Sequence, residues 1–212
     1  MFQDLKCSLV VIDLDNTLYA ANNGVFARMD AKMNGYIRRE LNVDQHEADA
    51  IRIKYWKQYG STLKGLMAHH GHEAEPFLKE AHDIDAHELL SPQPSLYHVL
   101  DAMPMRKVIH TNGTKEHAET ILNALGIRHY FAEIYDIRFN QYTPKPCVDT
   151  LSQIFTVEGV AADEVLVIDD MADNLGVAKE AGAKTAWVHP DAMQTTHPWD
   201  IGVTSFEDLL LS

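Results

Sequence analysis

The sequence predicts an α/β protein: a parallel sheet with crossover helices, interrupted by an inserted helical subdomain. Three observations carry this. Short apolar runs alternate with helical patterns after residue 91, the signature of strand–helix–strand units. An earlier apolar run, Ser8 to Ile12, stands apart from them near the start of the chain. Between it and the others, residues 24 to about 90 contain no strand-like run and read as three or four amphipathic helices.

The first strand leads into Val11-Ile12-Asp13-Leu14-Asp15-Asn16-Thr17-Leu18-Tyr19, where a β-type run ends on two carboxylates one residue apart. Alternate side chains of a strand point to opposite faces, so two cooperating acids at this spacing must sit where the strand breaks into a loop. There they can act as nucleophile and proton donor, hold a hard cation through oxygen, or simply cap a turn.

In the insert, Val25, Met29, Met33, Tyr36, Ile37 and Leu41 follow helical spacing, and Ala48, Ile51, Tyr55 and Tyr59 repeat it. Helical packing is the expected role of the aromatic group Tyr55, Trp56 and Tyr59, with base stacking the alternative. His69-His70-Gly71-His72 lacks an evident fourth zinc ligand and is expected on the surface of the insert or against substrate. The two prolines of Ser91-Pro92-Gln93-Pro94-Ser95 predict a return linker.

Beyond it, strands are expected at about Lys107 to His110, Glu133 to Asp136, Val165 to Asp169 and Lys184 to Val188. Helices are expected at Lys115 to Leu125 and Met171 to Ala181, each closed by a glycine, at Cys147 to Phe155, and at Phe206 to Leu211. His110-Thr111-Asn112-Gly113 then falls at a strand end before a helix, a seat for phosphate oxygens or an ordinary turn. Thr143-Pro144-Lys145-Pro146 holds one ammonium group between two prolines, a preset cation or a solvated loop lysine. Val165-Leu166-Val167-Ile168-Asp169-Asp170-Met171-Ala172-Asp173-Asn174 repeats the pattern of a buried strand ending in acids, and adjacent carboxylates repel unless they share a cation or a proton. Ligands of open α/β sheets bind outside the carboxyl ends of the strands, where all four segments converge. Together they define a site for Mg²⁺ and a phosphoryl group.

Composition narrows the partners. A formal charge of −13, from 18 basic against 31 acidic residues, disfavours a nucleic-acid polymer. The apolar runs fall far short of the roughly 20 residues a membrane helix needs. Met1-Phe2-Gln3-Asp4-Leu5-Lys6 lacks the basic-then-apolar order of a secretion signal, so a cytoplasmic location is expected. Cys7 and Cys147 are widely separated and read as packing residues.

In this order and spacing the segments resemble the haloacid dehalogenase superfamily of phosphohydrolases, from Ser8 to about Leu211. Asp13-Leu14-Asp15-Asn16-Thr17 is similar to its first motif, Thr111 to its second, Lys145 to its third, and Asp169-Asp170 with Asp173-Asn174 to its fourth. The resemblance implies a Rossmann-like core at residues 1–19 and 91–212 and a type 1 helical cap at 20–90. It implies that Asp13 is the nucleophile and forms an aspartyl-phosphate, while Asp15 protonates the leaving alkoxide and then activates water. Mg²⁺ would be held by the Asp13 carboxylate, the main-chain carbonyl of Asp15 and Asp170, with Asp169 in the outer shell beside either Asp173 or Asn174. Asn16, Thr111, the amides of Asn112 and Gly113, and Lys145 would hold phosphoryl oxygens. His110 and Met171 depart from the usual pattern at their positions.

Within the superfamily, Asp13 to Tyr19, Tyr59-Gly60-Ser61-Thr62-Leu63-Lys64-Gly65-Leu66 and His82-Asp83-Ile84-Asp85 resemble the pyrimidine 5′-nucleotidases. A nucleoside monophosphate is then the implied substrate, ahead of sugar phosphates or phosphoglycolate, for a monomer or homodimer. A signalling receiver domain uses similar groups, but carries its acid pair first and its phosphorylated Asp later, the reverse of this chain.

Overall fold

The computed structural model describes residues 5–210. Six parallel strands form one sheet: β1 (Leu9–Ile12), β2 (Arg106–His110), β3 (Glu133–Tyr135), β4 (Val165–Asp169), β5 (Lys184–Val188) and β6 (Ile201–Val203), in the order β3-β2-β1-β4-β5-β6. This is the expected α/β, Rossmann-like architecture. Strand β1 lies at the centre and is buried along its whole length, which is why its run is apolar without alternation. Val10 and Ile12 face one hydrophobic cluster, which includes Leu96, Leu100, Ile121 and Leu122 of helices α5 (Pro94–Ala102) and α6 (Lys115–Ala124). Leu9 and Val11 face the other, with Leu151, Ile154, Leu175 and Ala178 of α7 (Val148–Glu158) and α8 (Ala172–Glu180).

Register does the functional work. Ile12 pairs with Ile109 of β2 on one side and with Ile168 of β4 on the other. The next residue in each strand direction is therefore Asp13, His110 and Asp169, all at the same level of the sheet. The backbone amide of Asp13 continues the ladder, donating to the Ile168 carbonyl at 2.9 Å.

Between β1 and β2 the chain forms α1 (Val25–Leu41), α2 (Gln45–Tyr59), α3 (Thr62–His70) and α4 (Ala74–Ala81). Helix α1 joins two cores: Val25 and Met29 pack with the sheet cluster, whereas Tyr36 and Ile37 pack with Tyr55, Leu66 and Phe77. Helices α2 and α3 meet closely because Gly65 has no side chain; a Cβ there would lie 2.2 Å from Tyr55 Cγ. Asp44 and Glu47 close a capping box at the start of α2.

Several expected boundaries shift. Helix α5 begins at Pro94, inside the stretch expected to be a linker, because proline is tolerated in the first helical turn where its missing N–H has no partner to lose. Cys147 and Met171 cap α7 and α8 instead of joining them. Strand β6 was not expected, since glycine interrupts its short apolar run. The closing segment is a 3₁₀ helix, Phe206–Leu210; Leu211 and the first four residues lie outside the described residues. Cys7 and Cys147 are free thiols. Among the described residues no helix is long and apolar enough to cross a membrane.

Candidate active site

After β1 the backbone winds through one turn, with the Leu18 amide donating to the Leu14 carbonyl at 3.1 Å. This brings each residue back over the one four places earlier. The Thr17 hydroxyl donates to Asp13 Oδ2 at 2.8 Å, and the Tyr19 hydroxyl donates to Asp15 Oδ1 at 2.5 Å. Asn16 takes a left-handed φ of 65° to make the turn, and its Oδ1 is buried without a partner among the described residues.

Lys145 is the hub. Its side chain is buried, not solvated, and its Nζ donates to Asp13 Oδ1 at 2.6 Å, Asp169 Oδ2 at 3.0 Å and the His110 carbonyl at 2.9 Å, using all three ammonium protons. The Lys145 amide donates to Asn112 Oδ1 at 2.7 Å, which ties the proline-flanked loop to the end of β2. Thr111 Oγ1 accepts from the Gly113 amide at 2.9 Å, shaping the turn before α6.

The Asp13, Asp169 and Asp170 carboxylates each offer an oxygen within 4.8 Å of the others. Three carboxylates against one ammonium leave two negative charges uncompensated, and the donors are all hard oxygens, so the residues present fit a divalent cation such as Mg²⁺. Burial first, then neighbouring Asp169, pushes the Asp170 carboxyl up to about 7. Burial likewise raises Asp13 well above the usual carboxylate range, against Lys145 and with Asp169 and Asp170. Burial disfavours the Lys145 ammonium, but Asp13 and Asp169 outweigh it and hold Lys145 above the ordinary lysine value.

Of the two alternatives at the fourth motif, Asp173 is exposed and Asn174 is buried. Asn174 Nδ2 donates to both oxygens of Asp169, at 2.9 and 3.0 Å. Trp187 Nε1 donates to the Asp170 carbonyl at 2.8 Å and fixes that backbone from β5.

A cleft of about 200 Å³ opens above these groups, lined at its floor by Asp13, Asp15, Asn16, Thr111, Asn112, Gly113, Lys145, Asp170 and Asn174. Its upper walls are Phe26, Met29 and Met33 from α1, Trp56 from α2, and Phe77 and Leu78 from α4. Every charged lining residue belongs to the floor. The aromatic group divides: Tyr55 is buried in the helical core as expected, but Trp56, expected to pack, is 51% exposed at the cleft. The histidine run does not reach the cleft. His69 meets the Tyr59 hydroxyl, His70 the Tyr55 hydroxyl at 2.8 Å, and His72 the Tyr36 hydroxyl at 3.2 Å.

One histidine with no expected role reaches the first motif, and a second stands behind it. His117 of α6 meets Asp15, and the ring of His82 stands 4.7 Å from that of His117. Their separation from Asp15 in the chain leaves no local pattern that would have found them.

The fold and this arrangement of acids define a hydrolase, and the chain belongs to the haloacid dehalogenase-like hydrolases, whose sequence profile matches residues 7–182. It is similar to phosphate metabolism protein 8 of Saccharomyces cerevisiae, 28% identical over 130 residues. That match takes in 56% of this chain and only 40% of the yeast protein. Among solved structures, a HAD phosphatase from Thermococcus onnurineus superposes with a TM-score of 0.64, 18% identity and 95% of each chain covered. The HAD-hydrolase YfnB from Bacillus subtilis, bound to magnesium, gives 0.63 at 17% identity over 97% of each chain. L-2-haloacid dehalogenase from Xanthobacter autotrophicus gives 0.60 at 19% identity over 96% of each. These likenesses are of fold.

Proposed function

We propose that this hydrolase is a Mg²⁺-dependent phosphate monoester phosphatase that works through an aspartyl-phosphate and acts on a pyrimidine nucleoside 5′-monophosphate. The observation that carries the chemistry is the Lys145 ammonium seated between Asp13 and Asp169 at the mouth of the sheet. A phosphoryl group entering there meets a carboxylate nucleophile, a fixed cation and the loop amide of Asn112, and it would compete with Thr111 Oγ1 for the Gly113 amide.

Asp13 attacks phosphorus, forming the Asp13 Oδ–P bond as the ester P–O bond breaks, and Asp15 gives its proton to the departing oxygen. Water then adds to the aspartyl-phosphate, passing a proton to Asp15, and the Asp13 Oδ–P bond breaks to release phosphate. Thr17 and Lys145 hold the two Asp13 oxygens in place for this exchange. Lys145, Thr111, Asn16 and the Asn112 and Gly113 amides stabilise the charge on the phosphoryl oxygens. The Asp13 carboxylate, the Asp15 carbonyl and Asp170 would hold Mg²⁺, with Asp169, supported by Asn174, in the outer shell, and the ion would supply further neutralisation of that charge. Phosphate monoesters are so inert that accelerations reach the order of 10²¹, and the combination answers that demand.

Residues 1–19 and 91–212 serve as the catalytic core in this reading, and 20–90 as its cap. Support for a phosphate ester over an organic halide comes from Asp15, because a halide leaves without a proton. The name of the yeast relative, which places it in phosphate metabolism, agrees. Support for a nucleoside comes from the upper cleft, whose apolar walls and open Trp56 suit an uncharged planar group and offer no cation to the carboxylate of phosphoglycolate.

Asp13→Asn is expected to abolish turnover of UMP and of p-nitrophenyl phosphate while leaving the fold intact by circular dichroism. Substantial residual activity would refute the covalent route. A panel of UMP, CMP, sugar phosphates and phosphoglycolate compared by kcat/KM tests the substrate, and no preference for the two nucleotides counts against it.

A further inference from the structure

Asp15 is not free to turn. Its Oδ1 accepts two hydrogen bonds, from Tyr19 Oη at 2.5 Å and from His117 Nε2 at 2.9 Å. Among the described residues no donor bonds its Oδ2, and Asp15 lines the cleft with its side chain 14% exposed. One oxygen is anchored while the other faces the chemistry.

His117 is fully enclosed and comes from a separate part of the fold. Thr114 caps the start of α6 and accepts from the His117 amide at 3.2 Å, which sets the helix so that His117 points back at the first motif. Gly113 eases the approach: a Cβ there would stand 3.0 Å from His117 Cδ2, a tight contact. His82, which follows α4, backs the His117 ring, and its own Nδ1 donates to the Leu78 carbonyl at 2.9 Å.

A packing role does not account for this histidine. Its Nδ1 is buried with no partner among the described residues, so a leucine would fill the space without an orphaned nitrogen. What an imidazole offers here that an apolar side chain cannot is the Nε2–H bond to Asp15. A carboxylate accepts and does not donate, so this nitrogen carries the hydrogen.

We infer that His117, together with Tyr19, is a positioning residue: the pair clamps Asp15 Oδ1 so that Oδ2 is the oxygen that exchanges a proton with the leaving group. The inference rests on the acid–base role proposed for Asp15. It predicts a loss that depends on the leaving group. An alkoxide needs a proton as it departs, whereas p-nitrophenolate leaves without one near neutral pH.

The test compares His117→Leu, His117→Gln, Tyr19→Phe and Asp15→Asn on UMP and on p-nitrophenyl phosphate, with glycerol phosphate as the alkyl ester if UMP proves a poor substrate. It reads single-turnover release of the alcohol or of p-nitrophenolate, because Asp15 also serves the hydrolysis of the aspartyl-phosphate, which is common to both esters. For His117→Leu, release of the alcohol should slow about 100-fold, within the range of a general acid's contribution, with substrate affinity little changed. Release of p-nitrophenolate should slow less than about 5-fold. Gln, whose amide nitrogen can reach the same acceptor, should recover most of the loss. Tyr19→Phe should show a smaller selective loss, which keeps the clamp testable if His117→Leu fails to fold. Equal losses on both esters in His117→Leu or Tyr19→Phe, or no loss on either, would overturn the clamp. If Asp15→Asn itself lowers both esters equally, the acid role of Asp15 is wrong; if Asp15→Asn is selective and His117→Leu is not, only the clamp is wrong.

Discussion

Lys145 Nζ lies 2.6 Å from Asp13 Oδ1, a contact between residues 132 positions apart. The same ammonium reaches Asp169, so one cation joins the first, third and fourth acidic or basic segments of the chain. That junction yields the first prediction.

Lys145→Met removes the cation from three buried or half-buried carboxylates. It should destabilise the metal-free protein by about 3 kcal/mol at pH 8, the scale for breaking a buried pair. Without the lysine, Asp13 loses the charge that opposes its burial and binds a proton more readily folded than unfolded, so the variant's stability falls as pH rises. Urea unfolding should therefore show a smaller deficit at pH 5 than at pH 8, and a larger deficit at pH 5 would contradict the account.

His110 gives a pH dependence of opposite sign. Burial first, then the Lys145 ammonium, pushes its imidazole down to about 3, against the hydrogen bond with Asn140. A histidine in the unfolded chain titrates near 6.5, so between these values the unfolded state binds more protons. Its contribution is whole above pH 6.5 and is lost as pH falls towards 3, by up to about 1.4 kcal/mol per pH unit. His110→Leu should flatten the stability slope between pH 6 and 4 relative to the parent; an unchanged slope would rule His110 out as its source. His82, lowered to about 4 by burial and then by His117, remains in both proteins and cancels in the comparison.

Metal removal should silence the enzyme reversibly. Treatment with EDTA is expected to abolish turnover of p-nitrophenyl phosphate, and Mg²⁺ to restore it and raise the melting temperature. A cation at about 100 times its Kd stabilises by about 2.7 kcal/mol. Asp170→Asn should remove most of that rise, and a Mg²⁺ shift equal to that of the parent would exclude Asp170 as a ligand.

Trp56→Ala tests the upper cleft. A stacked base is worth roughly 1 to 3 kcal/mol, so kcat/KM for UMP or CMP should fall at least about 5-fold. Acetyl phosphate, too small to reach the tryptophan, should be hydrolysed unchanged, and Trp56→Phe should retain part of the preference. A uniform fall across substrates would remove Trp56 from the specificity argument.

Much of the fold was legible because a strand buried on both faces must be apolar throughout. Val165 to Asp169 and Lys184 to Val188 have the bounds expected of them. Strand β6 was not legible, because glycine at the centre of Ile201–Val203 breaks the apolar run that marks the other strands. The start of α5 was misread because proline breaks helices in their interior and opens them at their first turn, and only the packing of Leu96 and Leu100 tells which applies. Thr17 and Tyr19 were visible as residues of the first motif, but their bonds to Asp13 and Asp15 depend on the turn after β1.

By itself the sequence determined the strand ends and the carboxylates, hydroxyl and lysine that stand at them, because an apolar run closing on a polar turn is a local pattern. It also placed the helical insert between the first strand and the rest. Only the tertiary structure decided that Asn174 and not Asp173 supports Asp169, that Tyr55 is packed while Trp56 is open, and that His117 reaches Asp15 across 102 positions. Helical periodicity sets which residues share a face, but the direction that face points is fixed by the elements packed against it.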